Sequence, residues 1–570
     1  MTGHPDFAHW RRFWPIVSAP MDIRTTADGS VPAASPESTG PGGTGPDSAS
    51  PAATSHGAAG RAAAAGGGTG PAPWRRPQLA GLAALTILVA AAYTVFALER
   101  YDTFRTGSYD LVIFDQAVRS YAHFQPGISI IKGVHNGFGP HFSVLGDHWS
   151  PILAILAPLY WIHGGPQTLL AAQSVLFALA IPPIWLFTRR AFGGGQRAVL
   201  AAYLVAVVYA LSWPIASAMD FGFHEVAFAP VLTAIALERL QAGRLRPALL
   251  ALAALLLVKE DMGFFIAGIG LYLLAARPRQ VPRQRLVALV LIAVGIAASV
   301  LAIYVLIPAF GGRSGYYWAY TALGGNATQA FTHLILHPVS SLKLLVTPRV
   351  KLSTMLWLFG AFCFLPLRSP IALATIPLLA ERMLGSVFPG WWGTSFQYNA
   401  FLVVVLVCAA VDGAARIDRS LARRREQPAD AAWAAGPVAL GCVVAMGVAA
   451  LILVPRFAFG AVLNSSFFQQ NARMRAAATA TAAVPSGVTV EAVNHVGPQL
   501  SARDTVLLWD GDGSSPLRPP WVVADVAKRE FTFPSLAAQW QRVAFLERTG
   551  YRVVFQRKGY VVLYRTGAGL

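Results

Sequence analysis

Apolar runs about twenty residues long, separated by short polar intervals, fill most of the chain between residues 79 and 455. The first, "LAGLAALTILVAAAYTVFAL" at 79–98, is long enough to cross a hydrocarbon core of ~30 Å as one helix. Arg75 and Arg76 precede it, and cytoplasmic flanks carry the basic excess, so its start is expected inside and residues 99–150 outside. The apolar run at 151–163 holds only about a dozen residues, and a crossing there would put Arg189, Arg190 and Arg197 outside. It reads as a helix lying at the external face. Crossings are then expected at 167–188, 198–217, 226–241, 286–309, 351–367, 370–385, 398–412 and 433–455.

Between them, "RPALLALAALLLVKEDMGFFIAGIGLYLLAARPRQVPRQR" is basic at both ends and charged in the middle. Both ends are expected in the cytoplasm, with two short helices, 247–258 and 262–275, rising and returning. About twelve helical residues reach only ~18 Å, so Lys259, Glu260 and Asp261 at the tip would sit at depth, inside protein or a water-filled cavity. Counting that pair as two, the pattern predicts about eleven crossings. Residues 456–570 alternate β-rich runs ("GVTVEAV", "TVLLW", "WVVADV", "YVVLYR") with helical stretches, which predicts a small external α/β domain. Residues 1–73, rich in Ala, Gly, Pro and Ser, cannot bury enough apolar surface to offset chain entropy and are expected to be disordered. "MTGHPDFAHWRRFW" has no apolar core of a cleavable signal peptide.

Composition agrees with the pattern. Of 570 residues 55% are apolar and 13% charged, against roughly 25% charged in soluble domains. The net charge is +18, with 45 Lys and Arg against 27 Asp and Glu. Because the basic residues cluster between apolar runs, they read as topology signals and anionic-lipid contacts rather than a nucleic-acid surface. The usage is that of high-GC bacteria. Cys363, Cys408 and Cys442 all lie in apolar runs without zinc-like spacing. No dinucleotide fingerprint, P-loop or HExxH pattern is present.

The expected topology gathers the unusual polar residues on the external side: Asp110, Asp115, His135, His141, Asp147, His148, Asp220, His224, Glu225, the Lys259–Glu260–Asp261 tip, Glu381 and Arg382. Ionisable groups at membrane depth cost about 2.5–3.5 kcal/mol each, so such a collection points to a functional cavity. Each also has a plainer reading. Asp110 can open a helix as its cap, and Asp115 can pair with Arg119 one turn on. His224 and Glu225 can cap the following span, and the charged tip can be a hairpin turn. Asp147, His148 and His141 read as interfacial loop residues or as ligands of a divalent ion such as Mg or Mn.

"YDLVIFDQAV", "GDHWSPILAILAPLY", "FGFHEVAFAP", "LLLVKEDMGFFIAGIGLYLL" and "IPLLAERMLGS" with "WWGTSFQYNAFL", in that order, resemble the bacterial membrane family called domain of unknown function 2079, from about residue 80 to the C-terminus. That family looks like a distant relative of the C-type glycosyltransferases, membrane enzymes that use polyprenyl-phosphate sugars. The resemblance implies a large first external loop with surface helices, an acidic pair after the first span and an external C-terminal domain. It also implies a lipid-linked sugar donor in the bilayer. In that superfamily two acids commonly stand in the first loop, whereas here Asp115 is followed by Gln116. A base at Asp115 or Asp110 carries over; a metal held by that pair does not. The leaving phosphate would meet positive charge from Lys259, Arg313, Arg349, Lys351 or Arg382, or from a metal, with Glu260, Asp261, His224 and Glu225 in the same site. Two other classes fit the residues: a transporter or lipid flippase, which intramembrane charges suit, and a non-catalytic envelope scaffold acting through the C-terminal region. A transporter is disfavoured because the two halves show no repeat. The oligomeric state leaves no mark in the sequence.

Overall fold

A computed structural model describes residues 76–276, 281–313, 315, 318–424, 436–511 and 517–565. The tail expected to be disordered, 1–73, and residues 425–430 of the basic loop lie outside the described residues. Among the described residues, six helices are long and apolar enough to cross a membrane: α1 (Arg76–Asp102), α5 (Pro166–Ala191), α6 (Gln196–Phe221), α10 (Gln284–Ala309), α15 (Gln397–Arg424) and α16 (Pro437–Arg456). Shorter helices lie between them: α2 (Ser108–Ala122), α3 (Ile130–His135), α4 (Pro151–Tyr160), α7 (Phe228–Gln241), α8 (Leu245–Leu255), α9 (Met262–Ala276), α11 (Ala327–Leu336), α12 (Pro338–Val346), α13 (Arg349–Gly360) and α14 (Ile376–Leu384). The expected crossings at 226–241, 247–258, 262–275, 351–367 and 370–385 fall on these shorter helices.

The long helices divide by environment. The apolar window of α15 is 83% buried, because "AFLVVVLVCAAV" is apolar all round and needs neighbours on every side. In α1 and α16 the corresponding share is 22%, so Ile87, Leu88, Leu451 and Ile452 face outward, as lipid-facing side chains do. Helices α9 and α10 pack with backbones nearly touching. A Cβ on Gly263 would collide with the Gly295 carbonyl, so glycine is required at this crossing, which seats the 259–261 tip against α10.

After α16 come α17 (Ala472–Ala482), α18 (Gly497–Ser501), α19 (Leu536–Arg548) and five strands: β1 (Thr489–Ala492), β2 (Thr505–Leu508), β3 (Trp521–Asp525), β4 (Tyr551–Arg557) and β5 (Tyr560–Arg565). They form one sheet in the order β2-β1-β3-β5-β4, parallel across β2, β1 and β3 and antiparallel from β3 to β4. The sheet shares one compact unit with the helices. The carboxyl ends of β1 and β2 lead into Asn494 and Asp510, which bond α2 and α3.

Candidate functional site

Helix α2 begins at a break. Gly107 is extended, and a Cβ there would press on the Asn494 side chain at 2.8 Å. The Ser108 amide and hydroxyl each donate to the Asn494 carbonyl at 2.7 Å, and the Tyr109 amide donates to Asn494 Oδ1 at 2.9 Å. Asn494 thus serves amides that a helix start leaves without internal partners. Tyr109 then leaves helical geometry, and Asp110 adopts φ 81°, ψ −65°, a conformation that costs a non-glycine residue roughly 1–3 kcal/mol. In a regular helix Asp110 and Asp115 would lie about 140° apart and face different neighbours. Here the break turns Asp110 toward His224, with Oδ1 3.6 Å from Nε2, an ion-pair separation too long for a hydrogen bond.

Asp115 is wholly buried and enclosed. It accepts from the Tyr160 hydroxyl at 2.8 Å, from the Ser501 hydroxyl and from Arg119 Nη2 at 3.2 Å. Arg119 also donates to the Ser501 carbonyl at 3.0 Å. Burial raises the carboxyl above its ordinary range, against the pull of Arg119, Ser501 and Tyr160. The residue ties α2 to α4 and α18. It has no described bond to the Lys259 tip, so the pairing of catalytic candidates expected from sequence separates: only Asp110 meets the polar cluster. Gln116 is a second tie, donating to the Val506 carbonyl and accepting from the Ile131 amide, both at 2.9 Å. An amide can do both at once, which a carboxylate cannot.

The cluster is built from three turns. In "FGFHE", Gln173 accepts from the His224 amide at 3.1 Å and donates to the Gly222 carbonyl at 2.9 Å, fixing the turn. The His224 ring stacks on Phe221 at 5.2 Å and meets the edge of Phe114 at 5.3 Å. The buried Glu225 pairs through Oε1 with Lys259 Nζ at 3.0 Å. Glu260 holds His148 Nδ1 at 2.7 Å and the Trp149 amide at 3.1 Å, and its carbonyl accepts from Ser299 at 2.6 Å. Burial pulls the His148 imidazole down, but Glu260 outweighs it, and its pKa ends above the ordinary value. Tyr398 lies within electrostatic reach of Lys259, Asp110, Glu225 and Arg382, and Asp261 within reach of Lys259, Glu260 and Glu225. Four buried polar atoms in this region have no hydrogen-bond partner: His224 Nδ1, Glu225 Oε2, Asp261 Oδ1 and Glu381 Oε2. Beside the tip, a groove of about 160 Å³ is lined by Leu257, Leu301, Ala302 and Leu306, with Lys259 and Glu260 on its wall. It runs along α10 where residues Ala302–Leu306 form a π turn, a distortion frequent at functional sites.

Other expected site residues lie elsewhere or are already engaged. Arg382 is buried and gives four of its five N–H donors to the carbonyls of Trp391 and Tyr398 and to Asn399, which leaves one for a phosphate. Lys351 is likewise held by the carbonyls of Leu344, Met383 and Gly385. Arg313 sits over the Phe138 ring. The metal candidates do not assemble: Asp147 pairs with Lys132 at 2.9 Å, His148 with Glu260, and His141 is exposed. Among the described residues, the imidazole and carboxylate atoms close enough to share one ion belong to His495, Asp525 and Glu530. There Arg473 pairs with Asp525, and the Tyr560 hydroxyl holds His495 at 2.7 Å, so the group is satisfied within the protein. Sequence reasoning missed Asn494 and Gln173. The polar Gln173 inside an apolar span was the available signal for the second; nothing local marks the first.

The family model described as "Predicted membrane protein (DUF2079)" matches residues 100–562. No curated protein matches the sequence. Among solved structures, the chain is similar to ArnT from Cupriavidus metallidurans bound to undecaprenyl phosphate, at 13% identity and TM-score 0.45, over 86% of this chain and 98% of that one. The apo state of the same protein aligns at 14% identity and TM-score 0.38, over 85% and 98%. The Archaeoglobus fulgidus oligosaccharyltransferase in complex with Zn and sulfate aligns at 13% and 0.32, over 77% and 68%.

Proposed function

We propose that this chain, which belongs to the DUF2079 family of predicted membrane proteins, transfers a sugar from a polyprenyl-phosphate donor to an acceptor hydroxyl of the cell envelope, with Asp110 as the base. The observation that carries this reading is the set of four unpartnered buried polar atoms in the region of Lys259, which itself lines an apolar groove. An unpaired buried polar atom costs ~1–3 kcal/mol, and three of the four are carboxylate oxygens, which accept and so suit the hydroxyl donors of a sugar. The groove implies that the ligand has an apolar tail, and Lys259 that it has an anionic head.

In this reading the prenyl chain lies along α8 and α10 and the phosphate sits at Lys259. Lys259 has one described hydrogen bond, to Glu225, and an ammonium has three donors, which leaves two for phosphate oxygens. Asp110 takes the proton from the acceptor hydroxyl as its oxygen attacks the anomeric carbon from the face opposite the phosphate. The carbon–oxygen bond to phosphate breaks, and polyprenyl phosphate leaves with the electron pair. His224, held by Phe221 and Gln173, orients Asp110. Asp115 is a strut in this scheme. The topology that goes with it has about eleven crossings, a cytoplasmic N-terminus, and the first loop and the C-terminal sheet on the external side of a bacterial plasma membrane.

The test is release of polyprenyl phosphate by the purified protein in nanodiscs, across a panel of synthetic polyprenyl-phosphate hexoses and pentoses. Asp110→Asn should lower the rate by about 10²-fold or more with melting temperature unchanged. Full activity in that variant would exclude Asp110 as the base. If no donor is consumed while labelled lipid-linked sugar crosses between leaflets, the protein is a transporter.

A further inference from the structure

Between Asp261 and Glu381 the chain contains no acidic residue. This stretch holds α11 and α12, of ten and nine residues, which extend only ~15 Å each and cannot cross a core of ~30 Å. The turn between them falls at His337 and Pro338, where proline ends the first helix. One face of the pair is held by the protein. Ala330 and Ser341 are buried, and Lys351 Nζ donates to the Leu344 carbonyl of α12 at 2.8 Å and to the Met383 carbonyl of α14 at 2.6 Å. The other face presents Phe331, Ile335, Leu336, Val339 and Leu342, each 60–67% exposed. Phe331 and Ile335 are one turn apart, as are Val339 and Leu342, so each helix carries a stripe rather than scattered apolar residues. Lys343 and Arg349 are exposed beside it.

We infer that α11 and α12 lie along the boundary between headgroups and acyl chains of the leaflet next to them, and that Lys343 and Arg349 draw anionic phospholipid to that surface. The apolar stripe takes the acyl side, and the basic side chains reach the phosphates from its edge. A bilayer surface fits better than a second copy of this chain. The stretch that holds the two helices carries basic residues and no acidic one, so the same surface on a second copy repels it, whereas an anionic leaflet attracts. This inference is independent of the proposed reaction.

It is tested in the full-length protein with Cys363, Cys408 and Cys442 replaced by serine or alanine. A single cysteine is placed at Leu342 or at Ser340 and carries a polarity-sensitive fluorophore, in nanodiscs containing spin-labelled lipids. At Leu342 a quencher near the headgroup should act about twofold or more better than one near the chain end, while Ser340 should be reached by aqueous iodide. Lys343→Gln with Arg349→Gln should reduce the preference for phosphatidylglycerol over phosphatidylcholine by about tenfold. The inference is overturned if iodide reaches Leu342 freely, if the deep quencher acts best, or if neither lipid quencher acts because protein covers the site. An unchanged lipid preference in the double variant would overturn the anionic part.

Discussion

Within α2, Asp115 and Asp110 show two settings for a carboxylate, one sealed from water and the other partly exposed. Asp115 is enclosed by two hydroxyls and a guanidinium drawn from its own helix, α4 and α18. Asp110 sits on a strained backbone, faces one imidazole beyond hydrogen-bond distance, and borders a region with unpartnered polar atoms. A satisfied buried carboxylate holds elements together. A partly exposed one beside buried groups that lack partners is open to something that is not part of the chain. The distinction is invisible in the spacing of the two residues and decisive for their roles.

The largest effect should come from the unsatisfied side. Lys259→Met strands the buried Glu225 carboxylate, and removing one partner of a buried ion pair costs about 3–5 kcal/mol. Thermal unfolding in detergent should show the loss, and adding Glu225→Gln should recover most of the stability without restoring activity. A single variant that melts like the wild type would break the comparison. Asp115→Asn should cost less, about 1–2 kcal/mol, and leave the transfer rate within a few fold. Its pH dependence has a definite sign. A buried acid whose pKa is raised binds its proton more tightly folded than unfolded, so stability is greatest at acid pH and falls as pH rises through the raised value. Asparagine abolishes that slope, and the cost of the substitution should therefore shrink as pH rises. A widening gap would mean that Asp115 is held ionised, as a base would be. The smallest effect is expected from Asn494→Ala, about 1 kcal/mol of stability from the lost cap. It should lower kcat more than it changes KM, because Asp110 is released from its strained position, and Asn494→Asp should restore part of it.

Much of the membrane part was legible because a span needs an apolar run of fixed length, and 79–98, 167–188 and 286–309 supply one each. The Lys259–Glu260–Asp261 segment was legible as the turn between two short apolar helices, which the structure has at Leu245–Leu255 and Met262–Ala276. That Asp110 stands at the start of a helix was readable; that Tyr109 and Asp110 leave helical geometry there was not. The structure puts Asp110 and Lys259, through His224 and Glu225, in one neighbourhood, and leaves Asp115 outside it. That partition depends on Ser501 and Tyr160, whose approach to α2 no local pattern encodes. Arg382 looked like a phosphate ligand because a sequence displays charge but not the three carbonyl or amide groups that take four of its five donors.

The hydrogen bond from Ser108 to Asn494 joins residues separated by 386 positions. At about 5–20 residues per second of synthesis, the amides at the start of α2 wait roughly 20–80 s for their acceptor. Over that interval the chain makes its remaining long helices, α5, α6, α10, α15 and α16, while the turn that aims Asp110 lacks its Asn494 partner. That turn is therefore completed only after β1 has been made. A chain cut short before β1 would be a membrane-inserted, inert intermediate with the first loop open to proteases, and protection of that loop should appear late, together with the terminal sheet.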